Sequence, residues 1–392
     1  MRKILFWAHL SAGCFAGIVI LIMCVTGVLL TYEQQIIRWA ERDYRSTSPA
    51  ASRLPVSNLI DKATHLAGSN PAAITVRHDE AAPVEVSGPG GRLLFLDAYT
   101  GELRGEGAKS VRSFFRSVTD WHRRLAATGE HRDTGRAITG ASNLLFGVLA
   151  LSGLILWAPR KWSWRHIRPV FWFRGGMSGK ARDFNWHNVI GFWCAIPLIG
   201  VVLGALVISY PWATNLVYKV TGTEPPRQAA RPEQPRTAGT PAPVSLEGID
   251  SAWTAAERQV PGWQVISFRI PQRAADPWAF TVDLVDRRGR PDQRHLLTID
   301  PKTAQIVKTE SFEDYNAGRK ARTWLRWIHT GEAGGIAGQT IAGIASFGGA
   351  VLVWTGFALA LRRFRAWRSR KTSGGRESLV NSDLRDVSQP TV

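Results

Sequence analysis

The chain has 392 residues and a formal net charge of +18, and 45% of its residues are hydrophobic. This length exceeds that of a typical single core, so several structural units are expected. The positive charge could indicate nucleic-acid binding. No zinc-finger, RRM or helix-turn-helix motif accompanies it, however, and we predict no nucleic-acid partner.

Four uncharged stretches are longer than the roughly 20 residues that a helix needs to cross a bilayer. They lie near residues 4–32, 137–158, 184–210 and 333–361. The first follows a basic start but continues beyond a normal signal-peptide core with no small-residue cleavage site, so we interpret it as an uncleaved anchor. The sequence therefore predicts a multi-pass membrane protein in contact with membrane lipid.

Basic residues crowd the segments before the first span, between the second and third, and after the last. These are the segments that alternating spans place on one side of the membrane. The positive-inside rule therefore predicts that both termini and the loop between the second and third spans are cytoplasmic.

Two polar regions follow the first and third spans, and each reads as a helix followed by strands. The helices are predicted at Leu59–Leu66 and Leu246–Gln259, and the strands at Ala73–Arg77, Pro83–Ser87, Arg92–Asp97, Trp263–Ile270, Trp278–Val285 and His295–Ile299. A tight turn is predicted after Asp97 and again after Asp300, because an Asp side chain can accept hydrogen bonds from the backbone that follows it.

The chain order is thus a span, an exterior domain and a returning span, repeated once. In sequence numbering, the predicted parts are a first transmembrane helix (4–36), an exterior domain (40–110), an interfacial segment with the second transmembrane helix (111–159), a basic cytoplasmic loop (160–183), a third transmembrane helix (184–217), a Pro-rich linker (222–244), a second exterior domain (245–318), an interfacial segment with the fourth transmembrane helix (319–362), and a cytoplasmic tail (363–392).

The first and third spans share a spaced motif. His9, Gly13 and Tyr32 recur at the same intervals as His187, Gly191 and Tyr210. Because both halves start on the same side, the repeat is a parallel one, related by an axis along the membrane normal. The predicted fold class is an α-helical membrane protein with four transmembrane helices in two parallel pseudo-repeats, each with an exterior α+β domain.

Histidines occupy matching depths in the two halves. His9 and His187 lie about one turn inside the cytoplasmic half of their spans, and His122 and His329 precede the two returning spans. Two imidazoles at equal depth on different helices can ligate the iron of a haem from both sides. The pattern therefore predicts an inner haem at His9 and His187 and an outer haem at His122 and His329, with His131 as the alternative outer ligand.

Other uses of these residues stay open. The histidines could be hydrogen-bonded side chains at the membrane interface, a proton relay or a transition-metal site. Arg123 and Arg326 flank the outer histidines and could pair with haem propionates or equally with lipid phosphate, since both are anions that a guanidinium binds well.

Several motifs resemble the PepSY-associated transmembrane family, whose bacterial members include inner-membrane ferric-siderophore reductases. They cover nearly the whole chain: His9-x3-Gly13 with Thr26-Gly27, Trp121-His122-Arg123-x-Leu125, Ser152-Gly153-x3-Trp157, His187-Asn188-x2-Gly191, His329-Thr330-Gly331-Glu332, and the strand-turn segments that begin at Leu96 and Ile299. In the second turn Ala304 stands where the first has Gly101.

The resemblance implies a protein of the bacterial inner membrane whose two exterior domains, 40–110 and 245–318, are PepSY-like and periplasmic. It implies b-type haem, two groups expected and one possible, held by the histidines. It also implies electron transfer from an unknown cytoplasmic or quinone donor to a ferric siderophore in the periplasm, where reduction releases the iron. Two alternatives are a haem conduit to another periplasmic redox protein and a haem-free membrane anchor whose PepSY domains inhibit or sense.

Overall fold

The fold is taken from a computed structural model. It describes residues 1–46, 52–88, 91–159, 163–226, 244–271, 273, 276–286 and 290–386. Most of the predicted Pro-rich linker, the start of the basic loop and the last residues of the tail lie outside the described residues.

The chain divides into two units. A helical unit comprises Met1–Thr31, Val118–Ser209 and Gln339–Val392, and a sheet-containing unit comprises Tyr32–Ser117 and Tyr210–Gly338. Each unit is therefore assembled from segments of both halves of the chain.

The helical unit contains the long apolar helices. Its elements, together with the helix that leads into it, are α1 (Arg2–Leu30), α4 (Lys109–Arg124), α5 (Arg132–Trp157), α6 (Trp164–Phe171), α7 (Gly179–Ser209) and α11 (Gly335–Asp386). Four segments of the described chain are long and apolar enough to cross a membrane, namely Arg2–Leu30, Gly129–Trp157, Gly179–Ser209 and Glu332–Arg370. The four predicted spans are confirmed as helices. Because no proline interrupts α11, it continues beyond the apolar segment.

Small residues let these helices approach closely. A Cβ atom added to Gly17 would lie 2.6 Å from the ring of Phe357, and one added to Gly349 would lie 2.8 Å from the sulfur of Cys24. Both glycines therefore mark contacts between α1 and α11 that a larger side chain would disrupt. Close packing of this kind is how helices associate in lipid, where apolar burial gives no advantage.

The sheet-containing unit is built on one eight-stranded antiparallel sheet in the order β4-β3-β2-β1-β5-β6-β7-β8. The strands are β1 (Ala73–Arg77), β2 (Val84–Ser87), β3 (Leu93–Leu96), β4 (Leu103–Gly105), β5 (Val265–Arg269), β6 (Trp278–Asp283), β7 (Arg294–Ile299) and β8 (Ile306–Ser311). The six predicted strands are confirmed. The sequence missed β4 and β8, which are outer strands whose apolar–polar alternation is weak.

The two polar regions meet at the centre of this sheet. β1 pairs with β5 so that Ile74 lies opposite Phe268, and the hydroxyls of Thr75 and Ser267 are 2.9 Å apart. The shared core includes side chains from helices α3 (Val56–Ala67) and α9 (Ile249–Gln259). Without this pairing, β1 and β5 would each be an open edge of a four-stranded sheet. The pairing therefore gives the backbone N–H and C=O groups of both strands hydrogen-bond partners.

Both predicted Asp turns form. The carboxylate of Asp97 accepts hydrogen bonds from the backbone of Tyr99 and Thr100, and that of Asp300 accepts from Lys302 and Thr303. Gly101 has φ +71°, and Ala304 takes the same left-handed conformation with φ +53°. The alanine therefore accepts a strained backbone at the position where the first turn uses glycine.

Three more α-helices complete the α-helices of the described residues. They are α2 (Glu33–Ala40), α8 (Pro211–Val220) and α10 (Ala317–Thr330). Helix α10 and helix α4 are amphipathic and basic near their C-termini, as the predicted interfacial segments require.

Candidate functional site: a histidine pair between the spans

The structure brings His9 and His187 together. His9 lies on α1 and His187 on α7, and the centres of their imidazole rings are 6.4 Å apart with the ring planes at 83°. The sequence had placed both at the same depth, and the structure shows that they also face each other.

Each of these histidines binds a hydroxyl on a neighbouring helix. The Nδ1 atom of His9 is 2.8 Å from the hydroxyl of Ser152 on α5, and the Nδ1 atom of His187 is 3.0 Å from that of Thr355 on α11. The helices α1 and α7 thus supply the imidazoles, and α5 and α11 supply the polar groups that orient them.

The hydroxyls determine which ring nitrogen carries the proton. Ser152 donates its hydroxyl hydrogen to the backbone carbonyl of Val148, at 2.6 Å, and Thr355 donates to that of Val351, at 2.8 Å. A hydroxyl has a single hydrogen, so towards the histidine it can only accept. Nδ1 must then be the protonated nitrogen of each neutral imidazole, which leaves a lone pair on Nε2.

A glycine follows each hydroxyl residue. A Cβ atom added to Gly153 would lie 3.5 Å from Cε1 of His9, and one added to Gly356 would lie 3.6 Å from Cε1 of His187. A side chain larger than a methyl group at either position would therefore meet the ring. Each Ser-Gly or Thr-Gly pair combines an acceptor for Nδ1 with room for the edge of the imidazole.

The geometry fits two ligands of one metal ion. A nitrogen ligand lies about 2 Å from its metal, so two imidazoles on opposite sides of one ion have centres roughly 6 Å apart. The observed 6.4 Å agrees with this value. In the part of the chain that the structure describes, no group of three or more His, Cys, Asp and Glu side chains comes together. Two axial imidazoles are what a porphyrin, which supplies four equatorial nitrogens, requires of the protein.

A buried carboxylate lies one turn before His187. Asp183 pairs with Arg182, at 2.9 Å, and with Arg362 on α11, at 2.6 Å, and its side chain is only 4% exposed. The contact with Nη1 of Arg362 is an ion pair by distance but lacks hydrogen-bond geometry at that nitrogen. It joins α7 to α11, the two helices that carry His187 and Thr355. The sequence analysis did not single out Asp183, although a carboxylate at the start of a span signals a functional or structural pair.

His122 repeats the same local arrangement. It lies on α4, and its Nδ1 atom is 2.9 Å from the hydroxyl of Thr26, which donates to the carbonyl of Ile22 at 2.6 Å. A Cβ atom added to Gly27 would lie 3.5 Å from Cε1 of His122. Thr26-Gly27 and Ser152-Gly153 were noticed in the sequence without a role, and Thr355-Gly356 was missed.

The other predicted residues lie as follows. His329 is near the C-terminal end of α10 in the sheet-containing unit, so its pairing with His122 stays a prediction. His131 is exposed, in a short 3-10 turn before α5. Arg123 and Arg326 are exposed, and their contacts with propionates also stay a prediction.

These features define a multi-pass helical membrane protein that carries a β-sheet region and histidines positioned between its spans. A comparison with family models identifies the family: the model described as the PepSY-associated TM region matches residues 6–363. The chain belongs to this family. A comparison with curated proteins found no match.

Proposed function

We propose that the protein is a b-type dihaem oxidoreductase of the bacterial inner membrane that moves electrons across the membrane and reduces a ferric siderophore or a related ferric chelate in the periplasm. The observation that carries the proposal is the facing pair of His9 and His187, each with Nδ1 bound to a hydroxyl. With Nδ1 bound to the hydroxyl, Nε2 is the nitrogen of each ring that is left to bind a metal ion, and the 6.4 Å between the ring centres leaves room for one ion between the rings. This is the arrangement that axial ligation of haem iron requires.

The inner haem would be held through Nε2 of His9 and of His187. When bound, haem supplies one-electron Fe(III)/Fe(II) chemistry, and the protein sets its potential through ligands, hydrogen bonds and burial. Ser152 and Thr355 fix the orientation of the two rings, and the apolar spans exclude water around them. An ionisable pair at this depth is costly unless it is used, which favours ligation over an unused polar contact.

The outer haem would be held by His122 and His329. His122 is favoured over His131 because its Nδ1 atom lies next to a hydroxyl group, as it does in the two inner histidines. The side chain of His131 is exposed. Arg123 and Arg326 are available to bind propionates, because both guanidinium groups are exposed.

The proposal includes the orientation and the internal repeat. The basic residues before the first span, between the second and third, and after the last support cytoplasmic termini, with the sheet-containing unit in the periplasm and the halves related as a parallel repeat. The substrate follows from iron chemistry. Hard oxygen donors hold Fe(III) far better than Fe(II), so delivery of one electron per ferric ion would release the metal from such a chelate.

Haem content tests the ligand assignment. We expect the purified protein to show a Soret band that corresponds to two haems per chain, and His9→Ala or His187→Ala to lose about half of it, since each leaves one haem with a single axial ligand. His166→Ala, which removes an exposed histidine in α6, is the control and should leave the band unchanged. Wild-type protein without a Soret band, or full haem content in both variants, would contradict the assignment.

The hydroxyl contacts predict a graded effect. Thr355→Val keeps the shape but removes the acceptor for Nδ1 of His187, and we expect haem affinity to fall about ten- to hundredfold, as for other partners of metal ligands. The midpoint potential of the inner haem should shift as well. Thr355→Ser retains a hydroxyl and should restore both properties. If Thr355→Val and Thr355→Ser have the same haem affinity and midpoint potential, the hydroxyl has no role in orienting His187.

Reaction with the substrate tests the activity. Protein reduced with dithionite, with the excess removed, should be reoxidised promptly on mixing with a ferric hydroxamate siderophore, because the exterior face then delivers electrons directly to the chelate. The matched control is the same siderophore loaded with gallium(III), which has similar size and charge but accepts no electron. Reoxidation that requires an added periplasmic protein would instead identify a conduit, and stoichiometric haem with no reoxidation in either case would refute the reductase.

A further inference from the structure

A basic aromatic pocket lies in the segment that joins the second and third spans. Its cavity has a volume of about 680 Å³ and is lined by Trp164, Arg168, Trp172, Phe173, Arg174 and Gly175. The volume is in the range of sites that hold small molecules. Neither the haem ligands nor the contacts that orient them belong to it.

The pocket is built on a fixed loop. Asn185 of α7 is buried; its side-chain amide donates to the carbonyls of Pro169 and Trp172, at 2.7 and 3.2 Å, and its oxygen accepts from the backbone of Arg174, at 3.0 Å. The indole of Trp193 also donates to the carbonyl of Phe171, at 2.9 Å. Backbone contacts on both sides of Trp172 therefore hold the pocket wall to the span.

The pocket lies at the level where a membrane meets water. Helix α6 lies between the end of span α5 at Trp157 and the start of α7, and Phe171 at its end packs on Trp157 and Phe192, with ring centres 5.4 and 4.3 Å apart. Trp164 and Trp172 are exposed, with ring centres 5.5 Å apart. Exposed tryptophans beside the end of a span are typical of the headgroup region.

The charge of the pocket is unbalanced. Arg168 and Arg174 line it, no acidic residue does, and among the described residues neither guanidinium has a carboxylate within ion-pair distance. By contrast, Asp183 of the same helical unit forms ion pairs with both Arg182 and Arg362. Two unneutralised guanidinium groups beside aromatic rings complement a phosphate attached to apolar chains.

We propose that this pocket binds the headgroup of an anionic phospholipid. Arg168 and Arg174 would bind its phosphate, and Trp164, Trp172 and Phe173 would contact the glycerol and the first methylenes of the acyl chains. A zwitterionic headgroup carries the same phosphate together with a cation that the two arginines repel. The site should therefore prefer phosphatidylglycerol over phosphatidylcholine.

Native mass spectrometry of the full-length protein in a neutral detergent tests this site. We expect phosphatidylglycerol to bind in a saturable way and at least tenfold more tightly than phosphatidylcholine. Arg168→Gln with Arg174→Gln should weaken binding at least tenfold, since it removes both charge-assisted hydrogen bonds to the phosphate. The matched control, Arg165→Gln with Lys180→Gln, removes two exposed charges of the same loop that do not line the pocket and should change binding less than about threefold.

Three results would overturn the proposal. These are equal losses in both double variants, no loss in either, or equal binding of the two lipids. A titration with inorganic phosphate distinguishes a lipid from a free anion: saturable binding of phosphate at a similar affinity would also overturn it. Arg168→Lys with Arg174→Lys keeps the charges and should retain phosphatidylglycerol binding, which shows that any loss in the Gln variant is not a loss of folding.

Discussion

The structure of the helical unit depends on one hydrogen-bonding constraint. An imidazole between apolar helices needs a polar partner, because an unpaired polar group in that environment costs several kcal/mol. Here the partner is a hydroxyl whose own hydrogen is already donated to a carbonyl one turn earlier on its helix. The hydroxyl can therefore only accept, and this fixes both the tautomer and the orientation of the ring. The nitrogen that remains without a proton is the one that a metal needs.

The surrounding contacts hold this arrangement in place. His187 and Thr355 lie on different helices, and the ion pair between the buried carboxylate of Asp183 and the half-buried Arg362 joins the same two helices close by. A buried carboxylate needs a cationic partner, so this contact favours the arrangement in which α7 and α11 meet here. Glycine residues face α1 and the two imidazoles. Because glycine has no side chain, the helices can come close enough for short hydrogen bonds. The nitrogens that we propose as iron ligands are thus positioned by groups that would not themselves touch the iron.

Much of this could be predicted from the sequence, because the signals are local. Uncharged stretches predict the spans, apolar–polar alternation predicts the strands, and Asp97 and Asp300 predict the turns that follow them. The motif that recurs at His9 and His187 indicates that these two histidines lie at equal depth in the membrane. The joining of both polar regions in one sheet through β1 and β5 could not be predicted, since edge pairing between distant segments leaves no periodic signal. Thr355 and Asp183 were missed for the same reason, because a hydroxyl or carboxylate gains its role only from a helix far away in sequence.

The central claim is that His9 and His187 ligate one haem iron from opposite sides, with their ring planes at 83°. Electron paramagnetic resonance of the oxidised protein tests it most directly, because low-spin ferric haem with two nearly perpendicular imidazoles gives a highly anisotropic signal. The account predicts a component of this kind in the wild-type protein that is replaced by a high-spin signal in His187→Ala, whereas the signal of the outer haem remains in both proteins. A His187-dependent component typical of parallel imidazole planes, or identical spectra of the two proteins, would contradict it.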